Sequence, residues 1–291
     1  MLPKYTVFIL TFLGYMSLHI TRKSYSNLKN NLTDDWNFSE SLLASLDMAF
    51  MLSYALGLFL TGSLGDRYGS KKILITGLGG TSISFFLLVT VRWWTPVSAS
   101  PSVLQTVLYH VIWCLNGVCQ SAGWPNSVKI LSNWFDPNRD IMLFGLWAAN
   151  ASVGNIVGNV LIASLQSISS ELWVMFLVPS LLVAIVAVCI QCQVAEKKLE
   201  RKDDDEYLYL TDMEPFVYSV PSFFQILRLP SVLAYAFSYC FLKTVTYTFF
   251  FWLSYYLHEE MHLSSALSDN ISSFFDMGGI MGGLVIGCLA F

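Results

Sequence analysis

The 291-residue sequence is 55% hydrophobic, 15% aromatic and 12% charged, with a mean hydropathy of +0.56 and a net charge of −4. A soluble domain carries roughly 25% charged residues, so this composition excludes a water-soluble fold for most of the surface. The net charge says little, because in a membrane protein the position of each charge matters more than the sum.

Apolar runs of about 20 residues mark membrane-spanning helices. In chain order they are predicted near Tyr5–Asn27, Leu43–Leu64, Ile73–Val91, Val103–Trp124, Met142–Leu165, Leu172–Gln193, Ser231–Leu257 and Ile271–Phe291. The first run has no small-residue cleavage site before it and is long enough to span, so it is expected to be kept rather than removed as a leader. Basic residues then set the orientation. Arg67, Lys71 and Lys72 follow the second span, Arg139 the fourth, and Lys197, Lys198, Arg201, Lys202 and Arg228 the sixth. These loops share one side, which is predicted to be cytoplasmic together with the N-terminus. Glycosylation sequons at Asn31, Asn37 and Asn270 fall on the opposite, lumenal or exterior side. The six cysteines (Cys114, Cys119, Cys189, Cys192, Cys240, Cys288) all lie inside apolar segments, which argues against a disulfide framework or a zinc site.

Between the sixth and seventh spans lies one soluble stretch, Glu196–Leu227, in which Lys197–Glu206 is almost wholly charged and reads as a solvated linker. The predicted organisation is a six-helix block over 1–195, a cytoplasmic linker over 196–229 and the start of a second block over 230–291. Six plus six is the usual count for a two-repeat transporter, so an all-α polytopic fold with about eight of twelve helices is expected.

Arg22 stands within or at the end of the first apolar run, and Lys243 deep inside the seventh. A charged side chain near the bilayer centre costs roughly 2.5–3.5 kcal/mol on insertion scales, so each needs a partner or a watery cavity. For Arg22 the alternative is snorkelling to the interface beside Lys23. Tyr15, His19 and Arg22 fall at i, i+4 and i+7, on one helix face. Tyr235, Tyr239, Lys243 and Tyr247 make a second such stripe, and Asn116, Gln120 and Trp124 a third. Polar faces turn inward in hydrocarbon, so these stripes are expected to line a common cavity, although a single Tyr or Trp is more often packing or an interface anchor. Asn150, Asn155 and Asn159 either add polar contacts to that cavity or hydrogen-bond between helices.

Gly62-Ser-Leu-Gly-Asp66-Arg67-Tyr-Gly69-Ser-Lys71-Lys72 resembles the G-x-L-x-D-R-x-G-x-K/R loop of the major facilitator superfamily. The glycines let two helices turn tightly, the Asp pairs with a basic group or a helix N-terminus at a gate, and the basic residues hold the loop inside. Tyr15-Met-Ser-Leu-His19-Ile-Thr-Arg22-Lys23 is similar to the Y-x6-R-K element of organophosphate–phosphate antiporters. Asn116-Gly117 with Gln120, Gly123-Trp124-Pro125, Asn133-Trp134-Phe135, Gly145-Leu-Trp147, the Ser152–Gly158 run, Lys243 with Tyr247, and Phe250-Phe-Trp252 continue that pattern. They match the sugar phosphate exchanger branch best and cover nearly the whole chain outside the linker.

The resemblance implies a major facilitator fold that exchanges a sugar phosphate or other organophosphate for phosphate. It implies that Arg22 and Lys243 face each other across a pseudo-twofold axis and clamp the phosphate. Tyr15, His19, Tyr54, Gln120, Trp124, Trp147 and Tyr247 complete the expected substrate-binding set, and Gly62, Asp66, Arg67, Gly69, Lys71 and Lys72 the gating loop. His19 replaces a tyrosine of the glycerol-phosphate antiporter, Leu58 a lysine and Ala151 a histidine, which leaves the solute and any proton linkage open. The implied compartment is the endoplasmic reticulum, with the lysosome second, and Asn31 and Asn37 would make the chain a glycoprotein. No cofactor, metal or nucleic acid is expected; the partners are phosphate, a phosphorylated solute and the lipid bilayer.

The rival reading is a truncated, transport-incompetent form that acts by association with other membrane proteins. An enzyme reading lacks a nucleophile–base constellation, and a channel reading lacks a filter-like repeat.

Overall fold

A computed structural model describes residues 3–94, 100–135, 140–194 and 228–289. All of these but short connections are helical: α1 (Pro3–Asn27), α2 (Lys29–Trp36), α3 (Glu40–Tyr68), α4 (Ser70–Trp93), α5 (Val103–Ser121), α6 (Gly123–Ser132), α7 (Ile141–Ala148), α8 (Asn150–Ile168), α9 (Leu172–Gln193), α10 (Val232–Glu259) and α11 (Ser265–Leu289). Each of the eight expected spans is occupied by helix. The linker expected over 196–229, except its last two residues, lies outside the described residues, as do Arg139, Ala290 and Phe291.

Two spans are built from paired segments. The fourth runs on from α5 into α6 after a break at Ala122, and Pro125 falls in the first turn of α6, where a missing N–H leaves no bond unmade. The fifth joins α7 to α8. One helix, α2, occupies what the sequence suggested was only a loop. Helix starts are fixed by side chains: Ser39 Oγ accepts from the Leu42 amide at 3.2 Å, and Ser102 forms a capping box with Gln105. Gly69 closes α3 at φ 102, a backbone conformation that a side chain would strain.

The segments 40–68, 70–93, 142–168 and 172–193 are long and apolar enough to cross a membrane by length and composition. The first span carries a polar inner face that dilutes its hydropathy. Thr11, Ser17, His19, Thr21, Arg22, Lys23, Ser24, Ser26 and Asn27 of α1 are all buried. On α3, Leu43, Leu46, Phe50 and Tyr54 are buried while Met48, Leu52, Leu56 and Phe59 are exposed. An apolar exposed face with a polar or mixed inner face is the arrangement hydrocarbon demands.

The chain divides into two compact units, Met1–Lys197 with Phe251–Phe291, and Lys198–Phe250. In the first, close backbone approach replaces the hydrophobic effect as the reason helices meet. A Cβ at Gly117 of α5 would come within 2.6 Å of the Phe50 carbonyl of α3, and one at Gly154 of α8 within 2.5 Å of the Met16 carbonyl of α1. This unit extends past the predicted six-helix block, because α11 packs on α8 within it. In the second unit, the described part of α10 exposes Leu233, Tyr235, Phe237, Tyr239 and Phe241.

Candidate functional site

The inner face of α1 brings Tyr15, His19 and Arg22 together as their spacing foretold. Arg22 is 4% exposed and Lys23 2%, so neither side chain reaches out to an interface. The Arg22 Nε donates to Gln120 Oε1 of α5 at 2.5 Å. Its guanidinium carbon lies 4.5 Å from the centre of the Tyr54 ring and 5.5 Å from that of Phe50, both on α3. Cations sit favourably over aromatic faces, more so where water is excluded. Gln120 is itself fixed, its Nε2 donating to Asn116 Oδ1 at 3.1 Å.

From Arg22 an aromatic wall runs toward α7. The Tyr54 and Tyr15 hydroxyls are 3.5 Å apart. The Tyr15 ring lies 5.0 Å from His19 and 5.2 Å from Trp124, and Trp124 lies 5.2 Å from Trp147. Trp147 is buried and donates through Nε1 to Thr11 Oγ1 at 3.2 Å, which makes it a fixed backing, whereas Trp124 is 39% exposed. Seven of the nine expected binding residues therefore form one contiguous cluster in the first unit. Within the third stripe Asn116 and Gln120 are enclosed, with Gln120 holding Arg22, and Trp124 stands at the exposed end.

Lys243 and Tyr247 belong to the second unit. There the Lys243 ammonium lies 5.2 Å from the Tyr239 ring centre and 5.4 Å from that of Tyr247, so the i, i+4 stripe surrounds its cation. Tyr235 stacks on Tyr239 and is 73% exposed.

The glycine loop between α3 and α4 shows the pairing its chemistry called for. Asp66 pairs with Lys129 of α6, Lys71 Nζ donates to the Gln191 carbonyl of α9 at 2.8 Å, and Arg67 lies over Tyr68. Gly65 sits against the Asn126 side chain with no room for a Cβ. Both ions of the Asp66–Lys129 pair are substantially exposed, so it orders the loop more than it stabilises the fold.

Several buried charges escaped the sequence reading. Lys29 of α2 is buried and bonded to Asp47 of α3 at 2.5 Å, with its ammonium 3.7 Å from the Trp252 ring centre. On α11, Asp269 accepts from Ser254 and Asp276 accepts from Asn155 Nδ2 at 2.6 Å. Asn155 Oδ1 in turn lies 3.0 Å from His19 Nδ1. Asn159 donates to Ser273 at 2.5 Å and accepts from Asn27 at 2.8 Å, so two of the three α8 asparagines join helices. Asn150 is buried, and neither amide atom has a hydrogen-bond partner among the described residues. A signal was available: a carboxylate inside an apolar run is a functional candidate by default, and Asp47 and Asp276 each interrupt one, with Asp269 just before the last.

The family model described as Major Facilitator Superfamily matches residues 7–291. Among curated proteins the chain is similar to sugar phosphate exchanger 3 of Xenopus laevis (31% identical, covering 97% of this chain and 66% of that protein). The Homo sapiens protein of the same name is 32% identical over 98% of this chain and 66% of its own length. A putative glycerol-3-phosphate transporter 3 of Arabidopsis thaliana is 31% identical over 97% of this chain and 61% of that protein. The chain thus spans just under two thirds of the length of the relatives it matches.

Proposed function

This chain belongs to the major facilitator superfamily and is an integral membrane protein, and on that premise we propose that it binds phosphate and a phosphorylated sugar or related organophosphate in turn at the Arg22 site, as part of an exchanger. The observation that carries this reading is the enclosed guanidinium itself. Gln120 sets the plane of Arg22 and Tyr54 backs it, so the cation is held in one orientation at the head of an aromatic wall. A guanidinium is a planar fork matched to two phosphate oxygens, and fixing it beforehand removes most of the ordering cost of binding. The printed names of the relatives, a sugar phosphate exchanger and a glycerol-3-phosphate transporter, point to the same solute class.

In this reading the organic part of the solute lies against Tyr15, Trp124 and His19. Lys243, with Tyr239 and Tyr247 around it, is a second, point-like cation to which this reading gives a part in phosphate binding. The Asp66–Lys129 pair and the Lys71 contact belong to the cytoplasmic gate, in keeping with the run of basic residues on that side. The endoplasmic reticulum is the compartment we assign. Of the two sequons in the first loop, Asn37 is the acceptor we favour. It is exposed at a left-handed turn, whereas the Asn31 amide lies within α2 and accepts from Gln166 at 3.0 Å.

A bound anion that satisfies the cations better in the closed intermediate than in the open state lowers the barrier to switching; equal affinity for both would shift nothing. The test is equilibrium binding of labelled inorganic phosphate to the purified chain, competed by glycerol phosphate, followed by phosphate counterflow in proteoliposomes. Saturable binding that both compounds displace is expected. Absence of any displaceable phosphate binding would defeat the reading.

A further inference from the structure

Asp269 and Asp276 are two turns apart on one face of α11, and Lys23 of α1 acts electrostatically on both. All three are buried. Asp276 Oδ1 accepts from Asn155 Nδ2 of α8 at 2.6 Å, and Asp269 Oδ1 accepts from Ser254 of α10. Asp269 Oδ2 is buried and has no hydrogen-bond partner among the described residues, and neither has the hydroxyl of the adjoining Ser268. The other ionisable groups around the cluster are accounted for. Lys29, which acts on Lys23, is matched by Asp47. His258 of α10 is half-buried and acts on Asp269, and its Nδ1 donates to the Leu263 carbonyl at 2.7 Å, a bond the neutral ring already makes. His19 of α1 meets Asn155, α8 brings only the amides Asn155 and Asn159, and α7 has no ionisable side chain. One ammonium against two carboxylates leaves one negative charge unmatched, and a buried unmatched charge is costly enough that the group neutralises instead.

We infer that Asp269 is a buried proton-binding site, and that its proton is taken up together with the anion at the Arg22 site. The proton comes from the surrounding water and forms one O–H bond at Oδ2, the carboxylate oxygen that accepts from no neighbour, which cancels the unmatched charge. The inference rests on the phosphate reading of the Arg22 site and adds a coupled proton to it. The link is electrostatic. Lys23 directly follows Arg22, with their Cα atoms about 3.8 Å apart, and Asp276 reaches the wall of the site through Asn155, whose Oδ1 lies 3.0 Å from His19 Nδ1. A phosphate dianion on Arg22 makes this neighbourhood more negative, which favours the protonated carboxyl. By reciprocity the protonated form binds phosphate more tightly. Phosphate affinity therefore rises as pH falls through the titration of Asp269, and levels off once that carboxyl is protonated.

The experiment measures binding of labelled inorganic phosphate to the purified chain across a range of pH, for the wild type, Asp269→Asn and His258→Gln. Asp269→Asn stands for a carboxyl that is always protonated. It keeps the titration of phosphate itself and of every other group, so its difference from the wild type isolates Asp269. The two are expected to bind alike at low pH, and the wild type to fall behind as pH rises by up to about tenfold per unit, the limit for one linked proton. His258→Gln keeps the wild-type profile. Parallel profiles for the wild type and Asp269→Asn, or a linkage lost in His258→Gln, overturn the inference. Infrared spectra give an independent reading. The carbonyl stretch of a protonated carboxyl group should appear in the phosphate-bound wild type and be lost in Asp269→Asn. No such band in the wild type, or one that survives in Asp269→Asn, takes the proton away from Asp269. Should the wild type bind no phosphate, the reading of the Arg22 site fails, and the pH dependence of that band in the two proteins still decides whether Asp269 holds a proton.

Discussion

Arg22 and Lys29 are both buried cations near the end of the first span, and the fold answers them with different chemistry. Lys29 has a carboxylate at contact distance, Asp47, and an aromatic cage of Trp252, Phe251 and Tyr25 at 3.7, 5.5 and 5.7 Å. The Gln120 amide and the Tyr54 and Phe50 rings grip Arg22 and set its orientation. A cation matched by an anion in low dielectric is a cross-tie. A guanidinium oriented by an amide and ring faces presents its planar fork in a fixed direction. The surroundings agree with that division. Near Lys29, Ser26 donates to the Phe251 carbonyl at 3.0 Å and Tyr255 to Glu40 at 3.3 Å, fastening the end of α10 to α1 and α3.

The comparison predicts opposite phenotypes. Lys29→Met leaves Asp47 buried and alone, and should cost about 3–5 kcal/mol of stability, read as a fall in Tm, while phosphate binding by the surviving folded protein persists. Adding Asp47→Leu should recover most of the loss; a double variant as unstable as the single would mean the pair does not act as a cross-tie. Arg22→Ala should do the reverse, removing roughly 2–5 kcal/mol of phosphate affinity while expression and Tm hold. Normal phosphate binding by that variant would move Arg22 into the structural class. Trp252→Leu takes away the ring above the Lys29 ammonium and should lower stability by about 0.5–2 kcal/mol, with no change in phosphate affinity. An affinity change there would blur the line between the two regions. The Lys243 ammonium faces two tyrosine rings, and the proposed function gives its charge a part in phosphate binding. Lys243→Arg should therefore bind phosphate better than Lys243→Ala, since charge survives while reach and geometry change. Equal affinities would take Lys243 out of the site.

The sequence by itself determined where the helices run, because a chain in hydrocarbon must satisfy its backbone within each span, and every such run is helical, two of them with a break. It also determined the shared face of Tyr15, His19 and Arg22, and the tight turn at Gly69, since helical period and the freedom of glycine are local properties. Helix α2 was hidden because Lys29–Trp36 is short and polar, and its order comes from Asp47 and Trp252 rather than from its own propensity. The same holds for Gln120, which spacing placed on a cavity stripe and packing turned into the clamp on Arg22. Only the tertiary structure decided which groups each buried charge meets. Asp47 with Lys29, and Asp276 with Asn155 and His19, are pairings between different helices. No periodicity along one helix encodes the partner that packing brings to it.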